Sequence, residues 1–137
     1  MTMHVDIVSA EVEIFSGPVT ELYAPAEMGE VGIMPHHAPL ITKMKPGEVR
    51  VVDQGGDVES FFVNGGILEV QPHVVTILSD TAIRATDLDE AAALEAKAKA
   101  EAAMADKKTD YDYARAKAEL VEAVAQIETI NKLRKRK

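Results

Sequence analysis

The sequence predicts an α+β protein in which a β-sandwich is followed by an antiparallel two-helix hairpin, and three observations carry this. All eight glycines and all six prolines precede His73, while 16 of the 20 alanines lie at or after Ala82. Glycine and proline punctuate short strands and alanine is the strongest helix former, so the chain changes architecture near residue 80. Short β-branched and aromatic runs separated by turn residues fill the first part, whereas residues 88–105 are almost pure alanine, leucine, glutamate and lysine. The expected domains are residues 1–85 and 86–137.

Taken in order, the strand-like runs are 5–10, 12–15, 19–24, 31–34, 40–44, 49–53, 58–63, 67–70 and 74–78. Their spacing fits a sandwich or flattened barrel. Gln54, Gly55 and Gly56 supply a hairpin turn between two alternating runs, and Asn64, Gly65 and Gly66 a second place where positive φ is cheap. Asp87 reads as the N-cap of the first helix, with Glu90 at its third helical position. A polar turn at 106–110 follows, and Thr109 or Asp110 can cap the second helix. There Leu120, Val124 and Ile127 fall at i, i+4 and i+7, with Ile130 and Leu133 continuing the stripe. Alanine faces allow close approach but bury little area, at about 0.8 kcal/mol per CH₂. The hairpin is therefore expected to be a marginally docked, mobile appendage rather than a second core.

Residues 29–40, GEVGIMPHHAPL, resist explanation as generic packing. Gly29 and Gly32 permit turns that other residues resist, and Pro35 and Pro39 fix φ around the paired His36 and His37. The expectation is a stiff loop that displays its side chains.

The net charge of −8 is unevenly distributed. Lys132, Arg134, Lys135, Arg136 and Lys137 make the tail basic, leaving 10 basic against 23 acidic side chains in the rest. A nucleic-acid binder spreads positive charge over a folded face, and this chain does not, so nucleic acid is not an expected partner. The basic end reads either as a solvated helix terminus or as an interaction tail. No apolar run approaches the roughly 18 residues of a spanning helix, and the first residues lack the charge and apolar pattern of a signal peptide. The expectation is a protein neither secreted nor itself embedded in a membrane. With no cysteine there is no thiolate chemistry and no disulfide framework.

The familiar catalytic patterns are missing: there is no GxxxxGK, HExxH, GxSxG or GxGxxG. His36 and His37 are adjacent, so in extended chain their side chains diverge, and no third metal ligand has suitable spacing. A surface contact or a satisfied structural histidine explains them better. Asp87 with Asp89, and Glu11 with Glu13, read as capping and solvated strand faces rather than acid–base pairs. Neither an enzyme nor a resident cofactor or metal is supported. The residues alone leave open a free-standing interaction module with a helical docking arm.

VSAE at 8–11, FSG at 15–17, residues 29–40, GGILEV at 65–70, VVTILSDTA at 74–82 and DLDEA at 87–91 occur together and in order. In that combination the chain resembles the epsilon subunit of the bacterial F-type ATP synthase along its whole length. The resemblance implies a ten-stranded β-sandwich with a C-terminal two-helix domain, in a non-catalytic rotor subunit of the complex that makes ATP from ADP and phosphate as protons flow. It implies a peripheral position at the cytoplasmic face of the bacterial inner membrane, reached only through the complex. Its partners would be the gamma subunit and the c-ring, with Glu30 and His37 on the side facing them. Extended helices would reach the alpha and beta catalytic subunits and inhibit ATP hydrolysis, the basic tail meeting an acidic surface.

Some members also bind ATP in the folded hairpin, using an arginine on the first helix and two on the second. At those positions this sequence has Ala92, Glu122 and Gln126. The resemblance therefore implies that the phosphate clamp is missing, because a triphosphate needs guanidinium groups to offset its charge.

Overall fold

The computed structural model describes residues 1–106 and 109–136. Part of the expected turn at 106–110 (Lys107 and Lys108) and the last tail residue, Lys137, lie outside the described residues. The strands are β1 (Met3–Val8), β2 (Glu13–Val19), β3 (Glu21–Ala26), β4 (Gly29–Ile33), β5 (Leu40–Val52), β6 (Val58–Val70), β7 (Val74–Leu78) and β8 (Ala82–Arg84). They join in the order β2-β1-β7-β6-β5-β3-β4, with β8 added on β6. Neighbours are antiparallel except β1 and β7, which run parallel.

The sheet makes two layers because its two longest strands pass from one to the other. β5 and β6 pair from Leu40 opposite Val70 to Val52 opposite Val58. At one end β6 continues through Ile67 to Val70 onto β7 and thence β1 and β2. At the other, β8 lies on Phe61 to Val63 and β3 on Arg50 to Val52. The corner lies where Met44 to Gly47 face Val63 to Gly66. Gly65 and Gly66 have φ of +81° and +119°, and a Cβ on Gly66 would stand 2.1 Å from the Leu78 carbonyl oxygen. Only glycine lets the backbones approach this closely.

One expectation is corrected here. The resemblance implies ten strands and the described residues form eight, because the runs 40–44 and 49–53 are one bent strand, as are 58–63 and 67–70, each serving both layers. Asn64 to Gly66 is thus a corner within a strand, where Gly65 and Gly66 do take the expected positive φ. Gln54 to Gly56 does reverse the chain, with Asp53 Oδ1 accepting from the N–H groups of Gly55 and Asp57. Between the layers lie Val5, Ile7, Leu22, Ile33, Phe61 and Ile77, all fully buried.

A single 3₁₀ turn (Ala85–Asp87) leads to α1 (Glu90–Ala105) and α2 (Asp110–Lys135). The cap of α1 is Asp89, not Asp87. Leu88 stays extended after the 3₁₀ turn, so the helix begins later, and the Asp89 carboxylate accepts from the Ala92 N–H at 3.1 Å. Thr109 caps α2 by accepting from the Asp112 N–H at 3.0 Å.

α1 packs chiefly on α2, and α2 on β5 and β6. The seam is small and regular: Ala93 and Ala100 are buried on α1, and Ala116, Ala123 and Ile130 on α2, each seven residues apart. That is a heptad repeat carried mostly by methyl groups. Of the expected stripe, Ile130 is buried while Leu120, Val124, Ile127 and Leu133 are half-buried. A second face of α2, with Ala125 and Thr129 buried and Glu122 and Arg136 bonded across, meets the sandwich.

Candidate functional site

Side chains alternate across a strand, so three consecutive buried residues require cover on both faces. Phe61 and Val63 point into the sandwich core, whereas Phe62 is equally buried but stands outside that core cluster. Its cover is α2, which packs on β5 and β6. Beside it on the same outward face lies Glu48, whose side chain is only 2% exposed. Arg136 at the end of α2 donates from Nη1 to Glu48 Oε2 at 2.6 Å and from Nη2 to Oε1 at 2.7 Å. The Ser60 hydroxyl donates to Oε2 at 2.6 Å. Burial pushes the Glu48 carboxyl up, but the hydrogen bonds from Arg136 and Ser60 and the positive charges of Arg136 and Lys132 outweigh it. The carboxyl is held below the usual glutamate range.

The network continues outward. Arg50 lies over the Tyr23 ring, 4.4 Å from its centroid. Its Nε is 3.6 Å from Glu48 Oε1 and its Nη2 3.3 Å from Glu30 Oε1. Glu30, half-exposed on β4, is thus joined through Arg50 and Glu48 to the helix end. Two further ties hold the hairpin: Arg134 Nη1 meets Glu90 Oε2 at 2.8 Å, and Asn64 Nδ2 donates to Glu122 Oε2 at 2.6 Å.

The sequence-predicted residues are therefore dispersed. Glu30 sits on a paired strand, since β4 begins at Gly29, and the loop proper is 34–39. There the His37 N–H donates to the Met34 carbonyl, with Pro35 second in the turn and His36 third at φ +70°. His37 Nδ1 donates to the Ala38 carbonyl at 2.6 Å, and His36 Nε2 faces the Met1 sulfur. No hydrogen bond or ion pair joins Glu30 to His37 among the described residues.

In the tail, Arg134 and Arg136 are engaged within the chain, while Lys132 and Lys135 are exposed. Ala92 is exposed, and Glu122 and Gln126 are half-buried, Glu122 being bonded to Asn64. Among the described residues no group of three or more His, Asp or Glu is arranged to hold a metal ion.

A serine–histidine–aspartate triangle does occur on the outer face of β1 and β2. Ser16 donates directly to Asp6 Oδ1 at 2.7 Å, and His4 Nε2 is 2.9 Å from the same oxygen. The Ser16 hydroxyl, more than His4, holds Asp6 below the usual aspartate range against the effect of burial. A hydroxyl bound to the carboxylate is anchored rather than activated, so this is not the nucleophile–base–orienter arrangement of a triad.

Sequence reasoning missed Glu48, Arg50, Ser60 and Phe62. The signal available was Phe61 and Phe62 in succession, which breaks two-residue alternation. It also missed an apolar row on the outer sheet face: Ile67 opposite Leu78, and Leu78 opposite Val8, with Ile41 nearby on β5. Ile41 is 70%, Leu78 50% and Ile67 45% exposed.

This architecture and sequence have relatives. The family described as ATP synthase, Delta/Epsilon chain, beta-sandwich domain matches residues 2–85, and its long alpha-helix domain matches 86–131. The ATP synthase epsilon chain of Nitrosococcus oceani is 65% identical over 136 residues, covering 99% of this chain and 97% of the relative. That of Legionella pneumophila is 62% identical over 136 residues, with coverage of 99% and 97%. Among solved structures, a chain of the Euglena gracilis mitochondrial ATP synthase superposes with a TM-score of 0.83 at 19% identity, covering 90% of this chain and 78% of that one. A chain of the Tetrahymena thermophila mitochondrial ATP synthase central stalk and c-ring gives 0.64 at 13% identity, covering 95% and 97%. With its sandwich and its helices both matched, and relatives of this identity spanning nearly its full length, the chain belongs to the ATP synthase delta/epsilon chain family.

Proposed function

We infer that this chain is a non-catalytic subunit of the central stalk of an F-type ATP synthase, the membrane-associated complex that makes ATP from ADP as protons flow. The observation that carries this is the 65% identity to the Nitrosococcus oceani ATP synthase epsilon chain across 99% of this chain and 97% of that one. No helix of the described residues is long and apolar enough to cross a membrane, which accords with attachment through partner subunits.

The sandwich, residues 1–85, is the attaching part, and its outward row of Ile67, Leu78 and Val8 with Ile41 is the surface proposed for the gamma subunit. Isolated exposed apolar residues are ordinary, but a contiguous row on a sheet face marks an interface. Glu30 and His37, at the β4 end of the other layer, are proposed to meet the c-ring and gamma. Residues 86–137 are the regulatory part. If extended, α1 and α2 would bring Lys132, Arg134, Lys135, Arg136 and Lys137 toward the alpha and beta subunits and restrain ATP hydrolysis. The assembly is placed by this reading on the cytoplasmic face of the bacterial inner membrane.

Co-expression with the gamma and c subunits of the same organism tests the reading. A stoichiometric complex lost on Leu78→Asp together with Ile67→Asp is expected. Stable folding of the chain with no gamma association would favour a free-standing interaction module with a helical docking arm.

A further inference from the structure

We propose that Arg50 couples the Glu30 carboxylate to the seating of α2, so that a cationic partner surface closing on Glu30 loosens the clamp of Arg136 on Glu48. Two guanidinium groups, those of Arg50 and Arg136, converge on one enclosed carboxylate. Arg136 takes both oxygens in a bidentate pair, and Ser60 completes one of them, so Arg50 is left at 3.6 Å. The like charges repel, and the nearest group that offsets Arg50 from its other side is Glu30, at 3.3 Å. The negative charge of Glu30 also acts on Arg136 itself.

Arg50 cannot simply swing away to relieve the crowding. Its guanidinium is stacked on Tyr23, whose hydroxyl is in turn held by Glu21. Cancelling the charge on Glu30 therefore turns the full charge of Arg50 toward Glu48 and against Arg136. The clamp that weakens is the one closing the last turn of α2 over Phe62. By linkage the effect is reciprocal: a chain whose α2 end is unseated binds a cation at Glu30 differently from one whose helix is seated. The inference rests on the reading above only in taking the Glu30 edge to face a partner, because the coupling itself is built from this chain's residues.

The chain has no cysteine, so an introduced thiol is a clean reporter. Thr129 is 1% exposed on the face of α2 toward the sandwich, and Thr129→Cys should react with a thiol reagent only when α2 lifts. Ala125→Cys serves as a second reporter on that face, and Val75→Cys in the sandwich core reports global unfolding. In the isolated full-length chain, Arg136→Gln should speed labelling at 129 by at least about tenfold, as loss of a buried clamp implies. Glu30→Gln should speed it about threefold, the scale of a partly exposed ion pair.

The decisive result is non-additivity: Glu30→Gln should add nothing when Arg136 is already Gln, and should have a clearly smaller effect when Arg50 is Met, where only its direct action on Arg136 is left. An unchanged rate in Glu30→Gln overturns the proposal. So does an acceleration that persists when Arg136 is Gln, one that is undiminished when Arg50 is Met, or one that appears equally at position 75. Because every measurement uses the isolated chain, such a failure leaves the subunit reading standing. Failure of the chain to join gamma would, conversely, leave the coupling as measured.

Discussion

Arg136 grips both carboxylate oxygens of Glu48 from 88 residues away in sequence, at 2.6 and 2.7 Å, and so ties the end of α2 to the middle of β5. Breaking a buried pair by removing one partner is costly chiefly because the other is left enclosed. Here the enclosing element is itself the partner's helix, so the cost has an outlet: α2 can lift and let water reach Glu48.

The first prediction concerns acid. The folded carboxyl of Glu48 titrates below its unfolded value, so its contribution is fully present above the unfolded pKa, about 4.3, and is lost as pH falls through the lower folded one. The Tm of the full chain should exceed that of Glu48→Gln at pH 7, and the gap should close below about pH 4. Asp6 shifts in the same direction but is common to both proteins and cancels in the difference. A gap independent of pH would mean that the carboxylate charge does not seat the helix.

A second prediction separates two glycines of similar φ. Gly29, at +133°, has open space where a Cβ would stand, so Gly29→Ala costs only conformational strain, about 1–3 kcal/mol. Gly66→Ala adds a clash with the Leu78 carbonyl and should cost about 4 kcal/mol or more. Urea denaturation measures both, and equal losses would show that the corner can open.

Phe61 and Phe62 provide a third. Both are fully buried, but against different partners. Phe61→Ala should cost about 3–5 kcal/mol in the full chain and as much in a chain ending at Ala85, which is expected to unfold cooperatively on its own. Phe62→Ala should be costly in the full chain yet within about 0.5 kcal/mol of neutral in the shortened one, where nothing covers the ring. A large loss in both chains would make Phe62 part of the sandwich core.

Nucleotide binding gives the fourth. At the positions where the resemblance implies an arginine clamp for a triphosphate, Glu122, bonded to Asn64, supplies a carboxylate instead, and Ala92 and Gln126 supply no charge. Isothermal titration of the isolated chain with Mg-ATP should show no binding in the micromolar range. A saturable isotherm there would point to other residues.

The fifth follows from the second use proposed for the tail. Deleting 132–137 removes the proposed contact with the catalytic subunits and should raise ATP hydrolysis by the assembled complex, most visibly at low ionic strength. Glu48→Gln keeps that tail but frees it, and should lower hydrolysis instead. Opposite signs are the expected signature, and a rise in both would show that the clamp does not compete with the extended form.

The sandwich and hairpin were legible because each is written in local chemistry: alternation and turn residues for strands, alanine-rich propensity for helices. What was not legible depended on contacts distant in sequence. A 13-residue strand that bends at Pro46 and Gly47 looks like two strands, because the residues that permit a bend also permit a turn. The true cap, Asp89, differs from Asp87 only in the backbone of Leu88, which the 3₁₀ turn sets. Glu48 reads as one more solvated strand carboxylate until α2 is laid over it. The apolar row of Ile67, Leu78 and Val8 comes from three strands, and its continuity exists only in their register.

The alanine seam of α1 and α2 bears on solubility. Had Ala93, Ala100, Ala116 and Ala123 been leucines, the helices would hold together more firmly, but separating them in water would bare a long greasy ridge. Methyl groups expose far less apolar area, and on α1 the half-buried Lys97 interrupts what remains, while the larger Leu120 and Ile127 are confined to α2. Such a hairpin can part without becoming a nucleus for aggregation, and its helices keep their high intrinsic propensity when they do. The weakness of the seam is thus what would make the proposed extended conformation tolerable in the same solvent as the seated one.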